Sequence, residues 1–190
     1  MKKSIYFAFL LACTVTHSVI AAETYNIKPI ESFVLFKVLR LGTAYVYGRF
    51  TGGLSGTVSF DSAAPDKSAV ALEVKTDTFD TGFAQRDKDI KGPDFLNVKQ
   101  FPAVTFKSTS VQKVTDQQYT VAGDLTFHGV TKPLTVQANV VGQAKDPKGE
   151  MLMGAEIHFA VKRSEYGMNY GLPGIGDDVE LSVAVTCVRQ

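Results

Sequence analysis

Apolar and polar residues alternate most regularly between Tyr119 and Val140, and this pattern predicts a β-hairpin. Each of its two strands has one apolar face and one polar face. His128-Gly129 separates the strands, and a primed two-residue turn fits there because glycine supplies positive φ and histidine tolerates it. Such a turn places Phe127 opposite Val130 on the same face, so the register and the turn agree.

The same period of two recurs along the chain and predicts about eight antiparallel strands without crossover helices. A helical insertion interrupts them near residues 83–97, where Gly92-Pro93 ends a short helical pattern. Such a sheet with one apolar face forms either a sandwich or a barrel. Five glycines among the aromatic residues from Gly42 to Phe60 indicate sharp curvature and favour an all-β barrel.

One strand departs from the simple alternation. Phe33–Leu41 has Val34, Phe36 and Val38 on one face and further apolar residues on the other, which predicts that both faces are covered. The outer side then meets a terminal segment or a partner chain, and a homodimer is one hypothesis. Local packing is the alternative.

The first 21 residues have the features of a secretory signal peptide: two lysines, an apolar run and then small residues. We expect cleavage after Ala21 or Ala22 and a periplasmic protein with one domain over residues 22–190. The alternative is a lipoprotein signal acylated at Cys13, which fits the pattern less well. Cys187 is then the one remaining cysteine, so no intrachain disulfide forms.

Charge and residue types exclude several functions. Removal of residues 1–21 changes the formal net charge from 20 − 19 = +1 to 18 − 19 = −1, so nothing directs the chain to nucleic acid. His128 and His158 belong to no cluster with metal-ligand spacing, and we expect no metal or other cofactor. Because Cys187 faces inward, it fits a buried inert thiol better than a nucleophile. The sequence therefore predicts no catalytic site.

The inward-facing apolar positions form either a packed core or a pocket for an apolar ligand. The pattern alone favours the packed core. The residues that would line a pore are Phe36, Val38, Val58, Phe60, Val74, Phe83, Ile90, Phe95, Phe106, Leu125, Phe127, Val136, Ile157, Phe159 and Val183.

Two segments are candidates for the mouth of such a pore. Arg86-Asp87-Lys88-Asp89 is either a solvated helix face or a polar rim at which Arg86 binds a phosphate or carbonyl head group. In the glycine-rich loop 163–178, Tyr166, Met168, Tyr170 and Leu172 form either an apolar lid or ordinary loop packing.

Several motifs follow one another along residues 23–188: Leu41-Gly42 with Gly48 and Phe50, Arg86–Ile90 followed by Asp94-Phe95-Leu96, Phe101–Phe106, Gly123–Thr126 with His128–Pro133, and Arg163–Met168 before Gly176. Together they resemble the YceI-like family of bacterial periplasmic proteins.

The resemblance implies an extended lipocalin-like barrel of eight antiparallel strands, whose pore holds a polyisoprenoid, a quinone-type lipid or a fatty amphiphile. It favours a pocket over a packed core and implies that Arg86 and Asp89 contact the polar head of the ligand. The family often has histidine where this chain has Asp89, and an acid there would repel a pyrophosphate.

The leading hypothesis is therefore a periplasmic binding or carrier protein for a long-chain apolar lipid. The first alternative is an enzyme that acts on an isoprenoid lipid through Arg86, Asp87 and Asp89. The second is a stress-response or assembly protein that docks a transient inner-membrane partner through the outer side of Phe33–Leu39.

Overall fold

A computed structural model describes residues 22–190, which form one antiparallel sheet of eleven strands and a single short α-helix. The predicted signal peptide and Cys13 lie outside the described residues. In chain order the elements are β1 (Glu23–Ile27), β2 (Phe33–Arg40), β3 (Ala44–Phe50), β4 (Leu54–Phe60), β5 (Ala69–Lys75), β6 (Phe79–Asp80), α1 (Ala84–Ile90), β7 (Ala103–Lys113), β8 (Gln118–Phe127), β9 (Val130–Lys145), β10 (Met151–Lys162) and β11 (Ile175–Arg189).

Eight of these strands close into a barrel, as the sequence predicts. The ring runs β1-β4-β5-β7-β8-β9-β10-β11, and it closes because β1 pairs with both β4 and β11. The remaining strands, β2, β3 and β6, continue the sheet from the first half of β11. One edge of β11 pairs with β10 along the strand, whereas the other edge pairs first with β2 and then with β1. Val34 of β2 and Phe50 of β3 therefore also reach the interior of the barrel.

The central hairpin has the predicted turn and register. His128 and Gly129 have φ values of 49° and 77°, so both central residues of the turn are left-handed, as a primed turn requires. Phe127 pairs with Val130 across the turn, and the pairing continues without a shift to Gln118 and Asn139. The apolar face of this hairpin therefore points into the barrel.

The two ends of the barrel differ. At one end, here called the loop end, lie the turn at His128-Gly129, the segment 81–102 that contains α1, and the loop 163–174. At the other, here called the hairpin end, lie the connections β4–β5, β7–β8 and β9–β10. No helix within residues 22–190 has the length and apolarity needed to cross a membrane.

Within residues 22–190 only one face of Phe33–Leu41 is covered, and cover of the other face by a terminal segment or a partner chain stays a prediction. Val34 is buried and faces Val183, whereas the outward side chains of Phe33 and Leu35 are 49% and 45% exposed. The reason is that nothing within residues 22–190 packs over the outer face of β2.

Candidate binding cavity

The barrel encloses a cavity of about 200 Å³. An engineered cavity of about 150 Å³ with apolar walls stays dry and binds benzene, so this space is large enough for an apolar group. No charged side chain lines it, and its few polar members are hydroxyl residues. An interior of this kind takes up hydrocarbon in preference to water.

Side-chain exposure reveals the same space. Along β5 and β9 the inward positions, among them Leu72, Val74 and Val136, are only partly buried, although they face the inside of a closed ring. In a close-packed core these side chains would lose nearly all of their accessible surface. The inward apolar side chains of the ring therefore surround an empty space and do not pack against one another across it.

Ten of the fifteen residues predicted to line a pore do line this cavity. They are Val58, Phe60, Val74, Phe106, Leu125, Phe127, Val136, Ile157, Phe159 and Val183. All ten lie on strands of the eight-stranded ring, whose alternation the sequence shows directly. Their contact with a ligand stays a prediction.

The other five lie outside the lining, and they belong to the extension or the insertion. Phe36 of β2 stacks on Phe79 at 5.0 Å between ring centroids, and Val38 lies between Val46 and Val179 in the sheet. Phe83 precedes α1 and is 59% exposed.

The remaining two also lie in the insertion. Ile90 ends α1 and packs against the barrel core, and the ring of Phe95 lies 5.2 Å from that of Tyr170. The alternation of apolar and polar residues cannot place these two side chains, because the insertion is not a strand.

The predicted head-group residues Arg86 and Asp89 do not face the cavity. Arg86 donates from Nε to Thr81 Oγ1 at 2.7 Å and from Nη2 to the carbonyl of Thr81 at 3.1 Å, while Asp89 Oδ1 accepts from Gln85 Nε2 at 3.0 Å on the surface. Asp87 Oδ1 accepts hydrogen bonds from the backbone N–H and from the hydroxyl of Thr81. These side chains hold the insertion to the end of β6.

The four residues predicted for the mouth loop separate into two groups, and Leu172, at 37% exposed, belongs with Tyr170 to the outer one. Tyr166 and Met168 are 4% and 5% exposed and pack with Leu96 in the core at the loop end. Tyr170 is 57% exposed and contacts Phe95. The first group closes the loop end of the barrel, and the second lies on its outer surface.

Sequence reasoning missed the residue that holds this loop together. Arg163 is 4% exposed, and its guanidinium donates four hydrogen bonds of 2.7–2.9 Å to backbone carbonyls of the loop and of the start of β11. The acceptors are the carbonyls of Met168, Tyr170, Ile175 and Gly176. Burial lowers the pKa of Arg163, and Asp177 opposes that shift. The sequence signal is an arginine that opens a glycine-rich loop with many unpaired carbonyls.

The central hairpin also contacts the loop. His128 Nδ1 lies 3.0 Å from the carbonyl oxygen of Tyr166, and the ring of His128 packs on that of Phe101 at 4.2 Å. The rings of Phe127 and Tyr166 lie 5.3 Å apart. The turn therefore fixes the loop that covers this end of the cavity.

Three residues with polar groups line the cavity at the hairpin end. Tyr119, Ser68 and Cys187 line the cavity there and are 4%, 8% and 0% exposed. Cys187 is buried, as the sequence predicts, and desolvation raises its pKa to about 11. Sequence analysis placed Tyr119 on the apolar face but did not identify Tyr119 or Ser68 as site residues.

Fold and cavity together define a lipocalin-like barrel, an antiparallel ring of eight strands around an apolar interior. The chain belongs to the YceI-like domain family, whose model matches residues 25–187. Protein YceI of Salmonella agona (strain SL483) is 37% identical over 193 residues, which cover all of both chains.

Two solved structures share the fold. Burkholderia cenocepacia BcnA has a TM-score of 0.76 at 21% identity and covers 84% of this chain and 98% of its own. A polyisoprenoid binding domain from Saccharophagus degradans implicated in plant cell wall breakdown has a TM-score of 0.71 at 16% identity and covers 87% of this chain and 98% of its own.

Proposed function

We propose that this protein binds a long-chain apolar lipid inside its barrel and acts as a carrier or buffer for it. The observation that carries the proposal is the cavity of about 200 Å³ with its apolar wall. A family neighbour described as a polyisoprenoid binding domain supports the same ligand class. A polyisoprenoid, an isoprenoid quinone and a fatty amide all belong to this class.

The energetics of lipid binding favour a site that accepts tails of different lengths. Each buried CH₂ group contributes about 0.8 kcal/mol, so a chain of about forty carbons would formally gain on the order of 30 kcal/mol. Measured free energies of binding do not exceed about 18–21 kcal/mol, because the loss of conformational freedom in the bound chain offsets much of the gain. We therefore expect weak discrimination of tail length and stronger discrimination of the polar end.

A long tail also requires the protein to move. The cavity is smaller than the roughly 300–1,000 Å³ typical of sites for drug-sized ligands. Tyr166, Met168 and Leu96 close the loop end. Displacement of these side chains would extend the cavity past the end of the ring and admit a longer tail.

We place this function in the periplasm, because residues 1–21 have the pattern of a secretory signal peptide. The enzyme alternative has less support in the geometry, since Arg86 and Asp87 are both hydrogen-bonded to Thr81 and do not line the cavity.

Docking of another protein is a second candidate function, and one surface favours it. Phe33, Leu35 and Tyr47 are 49%, 45% and 64% exposed on the outer face of β2 and β3. This patch fits a homodimer or a transient inner-membrane partner. A photocrosslinker at Leu35 should give a product of defined mass, and one at Thr120 should not, because Thr120 lies on a polar outer face of β8.

Native mass spectrometry of protein purified from its host tests the leading proposal. We expect an adduct with the mass of a lipid that organic extraction removes, and the extracted lipid should rebind to the refolded protein. Reproducible absence of any lipid, together with failure of the refolded protein to bind long-chain lipids, would contradict the proposal.

A further inference from the structure

A surface groove of about 360 Å³ lies where β3 and the segment after β6 separate. β6 pairs with β3 only through Asp80 opposite Arg49 and Phe79 opposite Phe50. The chain then leaves the sheet, because Gly82 has a φ of 74° and donates its N–H to Asp80 Oδ1 at 2.8 Å. Within residues 22–190, the part of β3 before Arg49 therefore has no neighbouring strand on this side, and the sheet has a gap there.

The groove offers a mainly apolar surface to a ligand. The polar side chains that line it are already bonded within the protein: Arg49 Nε donates to Asp80 Oδ2 at 3.1 Å, and the hydroxyl oxygen of Thr81 accepts from Arg86 Nε at 2.7 Å. A charged ligand group would find no unpaired counter-charge in such a wall, whereas a hydrocarbon chain needs none. The apolar side chains of the groove are those of Leu35, Phe36 and Tyr47.

Three phenylalanine rings connect this groove to the cavity inside the barrel. Phe36 lines the groove and stacks on Phe79 at 5.0 Å between ring centroids. Phe79 packs edge-on against Phe50 at 5.7 Å, and Phe50 lines the cavity. The rings of Phe36 and Phe50 lie 6.1 Å apart. A continuous set of aromatic contacts therefore crosses the wall from the groove to the cavity.

Gly48 makes room for the outermost of these rings. It lies opposite Phe36 in the β2–β3 register, and a Cβ atom at residue 48 would overlap the Phe36 ring. A glycine inside a strand often marks a place where another group comes close to the backbone. The Phe36 ring thus lies against bare backbone and borders the open groove, so rotation of this one side chain would open the gap without moving a strand.

The groove also supplies volume that the cavity lacks. The cavity of about 200 Å³ is below the roughly 300–1,000 Å³ of typical sites for drug-sized ligands, and a site that joins it to the groove of about 360 Å³ falls within that range. The loop end offers a second way out, but Tyr166 and Met168 close it and are 4% and 5% exposed. Phe36, in contrast, is only partly buried.

We propose that the groove is the entrance to the lipid site: a hydrocarbon tail passes between β3 and residues 80–82, displaces the Phe36 ring and reaches the cavity, while its polar end stays in the groove. The proposal rests on the lipid-binding function and names the route of the lipid and the side chain that closes it. The ligand class is a hydrocarbon or prenyl chain that is longer than the cavity.

A bulky label at the groove tests the route. Tyr47 lines the groove and is 64% exposed, so the thiol of Tyr47→Cys should react with a poly(ethylene glycol) maleimide, whereas Cys187 is fully buried and should not. Stopped-flow fluorescence measures the uptake of cis-parinaric acid by the delipidated protein. We expect the label to slow uptake about tenfold or more, according to the fraction of time for which it covers the groove.

Tyr170→Cys with the same label is the matched control, because Tyr170 is 57% exposed on the outer surface of the loop end. We expect its label to leave the rate of uptake unchanged. An equal effect of the two labels, or an effect of the label at position 170 alone, would overturn the entrance at the groove while lipid binding stands.

The role of the Phe36 ring has its own test. Phe36→Ala should speed uptake about 2- to 12-fold, the equivalent of one aromatic contact. Phe101→Ala is the control, since Phe101 packs on His128 at 4.2 Å at the loop end and lines neither the cavity nor the groove. An unchanged rate in Phe36→Ala, or an equal gain in Phe101→Ala, would overturn the role of Phe36. Failure of the unlabelled wild-type protein to bind cis-parinaric acid or any other long-chain lipid would remove the lipid-binding function and the entrance with it.

Discussion

Filling the cavity should stabilise the protein and impair its function at the same time. Ala155 lines the cavity on β10, opposite Val140 and Val185, which line it too. Ala155→Leu adds three carbon atoms that point into the vacancy. At about 0.8 kcal/mol per buried carbon, the unliganded protein should gain about 2 kcal/mol.

The volume of the cavity sets an upper limit on this gain. At about 24 cal/mol per Å³, a cavity of about 200 Å³ destabilises the protein by on the order of 5 kcal/mol. The expected gain of about 2 kcal/mol lies below that limit. If the side chains filled the interior, the same substitution would overpack it and destabilise the protein by about 1–3 kcal/mol. The sign of the change therefore distinguishes a cavity from a packed core.

Urea unfolding of the delipidated protein measures the sign. We expect a higher midpoint at an unchanged slope, together with weaker binding of long-chain lipids. Ala160→Leu is the matched control, because Ala160 is exposed on the outer face of the same strand and should change stability by less than about 0.5 kcal/mol. A lower midpoint for Ala155→Leu, with Ala160→Leu unchanged, would refute the reasoning.

Two further predictions concern the loop end and the buried thiol. Arg163→Met leaves four backbone carbonyls of the loop and of β11 without their donor, so it should lower the free energy of unfolding by on the order of 3 kcal/mol and speed amide exchange in the loop 163–174. Arg189→Met removes a surface ion pair with Glu23 and should lower the free energy of unfolding by less than about 1 kcal/mol; equal losses would contradict the structural role. Burial raises the pKa of Cys187 from 9.0 to about 11, so the stabilisation by the protonated thiol is complete below pH 9 and is lost as the pH rises to 11. The free energy of unfolding in urea should therefore fall between pH 8 and pH 11 by about 2–3 kcal/mol more in the wild-type protein than in Cys187→Ala. An equal fall would contradict this, since Tyr25, whose pKa burial raises to about 12, titrates in both proteins.

Local patterns predicted the parts of the barrel that local forces determine. The turn at His128-Gly129 and its register follow from residues adjacent in sequence, so alternation and turn chemistry were sufficient. The same alternation identified the ring residues that face inward. It could not distinguish a cavity from a packed core, because both require the same apolar residues.

Long-range contacts explain what the sequence did not predict. The role of Arg163 depends on carbonyls brought together by the loop and by β11, and Arg86 was expected at the mouth although Thr81, five residues away, binds it. Tyr119 was assigned to an apolar face by its ring. The assembled barrel places that ring in the cavity wall, edge-on against Phe60.

Xenon uptake by crystals of refolded, delipidated protein tests the vacancy inside the barrel most directly. Xenon occupies dry apolar cavities, so we expect an ordered site among the inward side chains of β5, β9 and β10, which lies away from every charged group. An interior without xenon, in which the side chains of opposite walls meet, would contradict the account.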